Sequence, residues 1–220
     1  MAIQEYEILT ELTNFLRNND ILSTSERGVT TTTQTFNGDD ITTTFDLTHK
    51  NLKNIREIEV NSVPLNYGVD YSIEFEGSDS GRITFVDAPI TGVDNIVVTY
   101  DYGASDRIYP DLPRLDLKLN SYPRIGFRIL DVVTQPMAIG GKDDISFILI
   151  EVIVYALSVK QSSSIGEVMR DLFRDNKQEF HYFRYITPKN IGPTIISPER
   201  NNEIVQRNYI FEIKNHFEDW

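Results

Sequence analysis

ISFILIEVIVYALS, residues 145–158, places apolar side chains on both faces of an extended chain, because successive residues of a strand point to opposite sides. A strand apolar on both faces belongs in the middle of a sheet covered from both sides, by helices, by other strands or by another copy of the chain. Glu151 interrupts the run, which is also shorter than a membrane span.

Working outward, RIGFRILDVV (124–133) reads as a strand, and Gln135 to Asp144, with Gly140-Gly141, as a loop. Downstream, Ser164-Ile-Gly-Glu167 fits a capping box, and Ile165, Val168, Met169, Leu172 and Phe173 follow at helical spacing to about Gln178. HYFRYIT (181–187) reads as a strand, then a Pro-rich loop, then the long strand EIVQRNYIFEIK (203–214). At the other end, residues 5–19 form an amphipathic helix with Tyr6, Leu9, Leu12, Phe15 and Leu16 on one face. The expected fold class is therefore α+β: a four-stranded sheet with two helices on one face, built from residues 1–24 plus 104–220. Residues 104–124, punctuated by proline, read as mostly irregular.

Between these parts the period changes from 3.6 to 2. VTTTTQTF, ITTTFDL, IREIEVNSV, YSIEFE, RITFV and NIVVTYDY are short Thr-, Ile- and Val-rich runs separated by turn residues, so 25–103 reads as an inserted small all-β module, sandwich- or barrel-like. Asn37-Gly38-Asp39-Asp40 reads as a hairpin joining the first two strands, since Asn and Gly tolerate positive φ. Insertion of such a module at a surface loop is well tolerated.

The 220 residues include 33 acidic and 21 basic side chains, for a net charge of −12 and a pI near 4.7. That balance argues against a protein whose task is gripping phosphate backbones. There is no cysteine, which excludes disulfides, thiolate metal sites and Cys nucleophiles. The start, MAIQEYEILTEL, lacks a basic and an apolar leader segment, so the expectation is a soluble, unexported protein with no membrane partner.

No phosphate-binding loop, dinucleotide fingerprint, zinc-hydrolase or serine-hydrolase motif occurs. His49, His181 and His216 have no ligand-like spacing; His49, beside Lys50, reads as a surface turn residue and His181 as a strand residue at an interface or partly buried. The pairs Asp39-Asp40 and Asp143-Asp144, and GSDSG at 77–81, lack the spaced oxygen ligands a Ca²⁺ site requires. The expectation is a protein that is not an enzyme, with no catalytic, cofactor-binding or metal residues and no cofactor. On the strand at 181–187, Tyr182, Arg184 and Ile186 alternate with His181, Phe183 and Tyr185; one set packs inward and the other meets a neighbour, or the strand is simply a polar-rimmed core edge.

The order of pieces resembles a tailed-virus tail terminator, the neck protein that caps a finished tail tube. The matching features are the first helix, Tyr122-Pro123-Arg124-Ile125 opening a strand, the Gly-containing loop, the strand at 145–158, a helix ending DLFRDN, the aromatic strand before Pro188 and a long closing strand. Separately, Phe36-Asn37-Gly38-Asp39, Thr43-Thr44-Phe45-Asp46-Leu47, Val60-Asn61-Ser62-Val63-Pro64-Leu65, Tyr67-Gly68-Val69-Asp70-Tyr71, Ile83-Thr84-Phe85-Val86-Asp87-Ala88-Pro89 and Thr99-Tyr100-Asp101-Tyr102 look like a β module of virion structural proteins. Simple tail terminators lack such an insert.

The resemblance implies a homo-oligomeric ring, typically a hexamer, at the head–tail junction of a virion assembled in the host cytoplasm. One face of the ring would meet the tail tube protein and the other a head-side connector or neck protein. DNA would pass through without specific binding, repelled by carboxylates. It implies Tyr122, Arg124, Tyr182, Arg184 and Tyr185 at oligomer or partner interfaces, and Asp143 and Asp144 at the lumen or tube; the alternative for the two acids is an ordinary turn. The other readings are a head-completion or baseplate adaptor, and a carbohydrate-binding module using Tyr67, Tyr71, Tyr100 and Tyr102.

Overall fold

In a computed structural model, residues 5–75, 80–104, 106–112, 122–136, 144–175, 180, 185–199 and 202–217 are described. The chain folds as two compact units: a split unit, Met1–Leu22 with Arg107–Trp220, and an inserted unit, Ser23–Asp106. Strand accounts for 57% of the structure and helix for 19%, in three antiparallel sheets with three helices among the described residues. This corrects the α+β expectation of one four-stranded sheet with two helices and a small insert: the chain is mainly β. The strands of the split unit are long, 13 to 16 residues each, and they take up sequence that turn-forming residues had marked as loop.

In the split unit, β8 (Arg124–Pro136), β9 (Asp144–Ala156), β10 (Tyr185–Glu199) and β11 (Asn202–Phe217) form a sheet in the order β10-β11-β9-β8. β9 lies between β8 and β11, as its two apolar faces require, and residues 151–156 are all buried. Ile148, Ile150, Val152 and Val154 of β9, with Tyr209, Phe211 and Ile213 of β11, share one core with α1 (Glu5–Asn18) and α3 (Val159–Asp175). Phe173 of α3 meets Phe211 edge-on at 5.0 Å and stacks on Phe15 of α1 at 5.7 Å. The opposite face of β9 carries Ile153 and Tyr155, clustered with Tyr122 and Ile204.

Two local readings change here, and a third gains a detail. The helix α3 begins at Val159 and not at Ser164, because Ser158 caps it: its hydroxyl accepts from the Gln161 N–H at 3.1 Å, and the Gln161 side chain accepts from the Leu157 N–H at 3.2 Å. The Pro-rich loop is the edge strand β10, where Pro188, Pro193 and Pro198 are admissible because an edge strand needs no donor on its open side. Arg107 to Tyr109 is not wholly irregular, since Ile108 forms a parallel bridge with Ile125.

The inserted unit has two sheets, β1-β7-β3-β4 and β2-β6-β5. The first comprises β1 (Thr30–Gly38), β3 (Leu52–Val60), β4 (Val63–Pro64) and β7 (Gly92–Tyr102); the second comprises β2 (Thr44–Lys50), β5 (Tyr71–Phe75) and β6 (Ser80–Phe85). Their inner faces share one core in which Phe45, Leu47, Ile83 and Phe85 meet Ile55, Ile58, Ile96, Val98 and Tyr100. β1 pairs with β7 and β2 with β6, so Asn37 to Asp40 is a crossing between sheets and not the expected hairpin turn. Its polar groups reach residues 89–95, where the chain enters β7: the Asp40 N–H donates to the Pro89 carbonyl at 3.0 Å, and Asn37 Oδ1 accepts from the Asp94 N–H at 2.7 Å.

Candidate assembly surfaces

A sheet in the order β10-β11-β9-β8 ends on two unlike strands. β8 carries exposed Leu130, Val132 and Val133, and β10 carries exposed Ile191, Ile195 and Ile196, each between 37% and 51% accessible. β8 is interrupted by a register shift between Ile129 and Asp131, and β10 by shifts at Pro188/Asn190 and Ile191/Thr194. Bulges and prolines of this kind prevent an edge from recruiting strands indiscriminately. What each edge offers is therefore side-chain contact more than a backbone ladder. The signal is present in the sequence, as adjacent apolar residues in RILDVV and PTIISP that break alternation.

The second face of the sheet is polar at its centre. Glu151, only 6% exposed, accepts from Arg128 Nη2 of β8 at 2.5 Å and from Asn208 Nδ2 of β11 at 2.7 Å. The acid that interrupts the apolar run thus ties the central strand to both neighbours, and a one-residue slip would break the triad.

Of the residues expected at interfaces, Tyr122 and Arg124 are buried within the chain, with the Arg124 guanidinium 5.3 Å from the Tyr122 ring centroid. The Tyr122 carbonyl accepts from Arg107 Nη1 at 2.9 Å. Neither presents a free surface, because β8 needs its opening residues for its own packing. Tyr182, Arg184, His181 and Asp143 lie outside the described residues, as do the side chains of Tyr185 and Asp144, which open β10 and β9.

Beside β10 lies a shallow depression lined by Ser163, Glu167 and Arg170 of α3 and by Ile191, Arg207 and Tyr209. Arg207 donates to the Ser163 hydroxyl, and the Tyr209 hydroxyl donates to the Ser162 carbonyl at 2.8 Å. Burial raises the Tyr209 phenol above its ordinary pKa, against the opposing pull of Arg207 and Arg170. The depression is lined by two guanidiniums and one carboxylate.

The inserted unit buries one charged network. Arg27, fully buried, donates from Nη1 to Asp101 at 2.7 Å, from Nε to Asp106 at 3.2 Å and from Nη2 to Asn54 at 3.0 Å. Asp101 also accepts from Thr31 Oγ1 at 2.6 Å and from Arg56 Nε at 2.8 Å. Burial alone would raise the Asp101 carboxyl, but the bonds from Arg56, Thr31 and Arg27 outweigh it and hold the pKa below the ordinary range.

His49 is not a surface turn residue. It lies half-buried in β2, stacked on Tyr102 at 4.0 Å, with Nδ1 2.7 Å from the Tyr100 hydroxyl. The Gln34 side-chain oxygen already accepts from the Thr48 N–H, so the Tyr100 hydroxyl donates to it and His49 Nδ1 is the donor to Tyr100. That assignment makes His49 a structural partner of the core tyrosine.

No group of three or more His, Cys, Asp or Glu able to hold a metal ion occurs among the described residues, and none of their helices is long and apolar enough to cross a membrane. No protein-family model matches the chain, and no curated protein matches it in sequence.

Proposed function

We propose that the chain is a structural virion protein whose split unit assembles into a ring, six copies in the tail-terminator pattern, capping the tail tube and joining it to the head-side neck. One observation carries this reading: the split unit's sheet ends on two different apolar edges, β8 and β10. Unlike surfaces that bind each other make heterologous contacts, which close into a ring when the rotation between copies permits. The bulges and prolines favour discrete side-chain docking over endless strand addition. Growth of the tube ends because the ring matches the last tube surface on one side and offers a different surface on the other. A net charge of −12 suits a channel that must let DNA through without holding it. No catalytic step belongs to this role.

The test is sedimentation velocity on the full chain, alone and with tail tubes assembled from the cognate tube protein. The wild-type chain forms rings or binds tube ends, and Ile195→Asp with Ile196→Asp, or Val132→Asp, abolishes both with an unchanged melting temperature. A wild-type chain that stays monomeric and never binds tube ends overturns the proposal. Labelled protein found at the distal end of the particle would point instead to a baseplate adaptor.

A further inference from the structure

The register of the inserted unit gives it two distinct ends. Thr30, Leu52 and Tyr102 are paired at the end where the chain enters and leaves, while Gly38 faces Gly92 and Val60 faces Ile96 at the far end. That far end displays Ile41 and Val93, each 82% exposed, with Val86 at 67% and Ile90 at 55%. None of these four belongs to the unit's core.

The two loops that carry them are held firmly. Asp39 accepts from the Ile41 and Thr42 N–H groups and from Thr42 Oγ1, at 2.6 to 2.9 Å. Asp40 accepts from Thr91 Oγ1 at 2.6 Å and Asp94 from Thr35 Oγ1 at 2.8 Å. Asn95 bridges the loops, accepting from the Gly38 N–H and donating to the Ile90 carbonyl, both at 2.8 Å. The approach is so close that a Cβ on Gly38 would lie 2.1 Å from the Ile90 oxygen. A rigid tip that keeps four aliphatic side chains in water loses solvation free energy that a partner would recover, and little ordering entropy remains to be lost on binding.

Charge identifies the partner. Segments 37–43 and 86–95 contain Asp39, Asp40, Asp87 and Asp94 and no Lys or Arg. A second copy of the same tip would bring four more carboxylates against these, and an anionic lipid surface would be repelled likewise. We propose that the tip of the inserted unit docks a protein whose contact surface has an apolar centre rimmed by Lys or Arg. This gives the insert a recognition role that holds whether or not the split unit forms a ring.

The test uses the full chain and three fluorescent helical peptides carrying a photo-cross-linker: one patterned with Leu and Lys, one with Ser and Lys, one with Leu and Glu. Anisotropy should show the Leu/Lys peptide binding at least about tenfold more tightly than either control, and weakening as salt rises. Its cross-links should fall at 38–42 and 90–94. Ile41→Ser with Val93→Ser should weaken binding about tenfold or more while sedimentation and melting stay unchanged, since both side chains are solvent-exposed. Equal binding of the Ser/Lys peptide, cross-links elsewhere, no loss in the double variant, or co-sedimentation with phosphatidylcholine vesicles in place of peptide binding would each overturn the proposal.

Discussion

The inserted unit buries an ion network at its stem and leaves some of its aliphatic side chains outside, at the tip; the split unit has an aliphatic and aromatic core closed by helices on one face, leaving apolar residues at both sheet edges. At the stem of the inserted unit, Arg27 from the incoming chain joins Asp106 from the outgoing chain and Asp101 of β7 in one buried network. The helix that carries Arg27, α2 (Thr24–Arg27), is short and tightly specified: Ser23 and Glu26 form a capping box and Gly28 ends it at φ 75°. A module whose two connections are bonded to each other carries its own closure. In the split unit a close steric contact at Gly166 sets α3 against Tyr209 of the sheet.

The contrast is broken most strongly by Arg27→Ala. Removing the cation leaves the Asp101 and Asp106 carboxylates buried without it, and breaking a buried ion network in this way costs about 3–5 kcal/mol. Hydrogen exchange should therefore accelerate across β1, β3 and β7 while β9 and β11 keep their protection. Loss of protection spread evenly over the chain would show that the network does not belong to one unit.

Gly166→Ala should do the reverse. A Cβ there would lie 1.9 Å from the Tyr209 ring carbon Cζ, and that ring is buried and anchored by its bond to the Ser162 carbonyl. Forcing α3 away from the sheet costs about 1–3 kcal/mol, read as faster exchange in α3, β9 and β11 with the inserted unit unaffected. Pairing this substitution with Tyr209→Leu should recover part of the loss, because the ring that clashes is gone.

Periodicity made some of this visible in the sequence and left other parts hidden for definite reasons. The doubly apolar run around Glu151 placed β9 in the middle of a sheet, and the alternating runs between 29 and 102 marked strands of a separate module. Which strands pair was not legible: Asn37-Gly38 has hairpin chemistry, yet β1 takes β7, some 60 residues away, because pairing is decided by packing of two sheets and not by the turn. Proline disguised β10, since an edge strand tolerates what a central strand forbids. Two competing caps, Ser158 with Gln161 and Ser164 with Glu167, lie six residues apart, and the sequence pattern alone does not rank them. The apolar tip was unreadable for a related reason. A sequence shows which residues are apolar but not which of them the finished core leaves out. Arg27 gave no signal at all, as a buried cation is defined by partners at 54, 101 and 106.

The smallest effect is expected from acid, and its sign separates Asp101 from an ordinary surface carboxylate. Its pKa in the folded chain is depressed below the unfolded value of about 4. A depressed carboxylate contributes stability that is fully present above the unfolded pKa and is lost as pH falls through the folded one. Between pH 7 and about 5 the inserted unit should therefore keep constant stability, and below about 4 it should weaken, as Thr31, Arg27 and Arg56 lose their ionised acceptor. In Arg27→Ala the cation that opposes burial is missing, so the folded pKa of Asp101 moves upward and the same acid range should show a flatter or reversed slope. Denaturant titrations of both proteins at pH 3 to 7, followed by the exchange of β7 amides, would measure this. Identical slopes would mean that Arg56 and Thr31 alone hold the carboxylate, reducing Arg27 to a tie between the two connections.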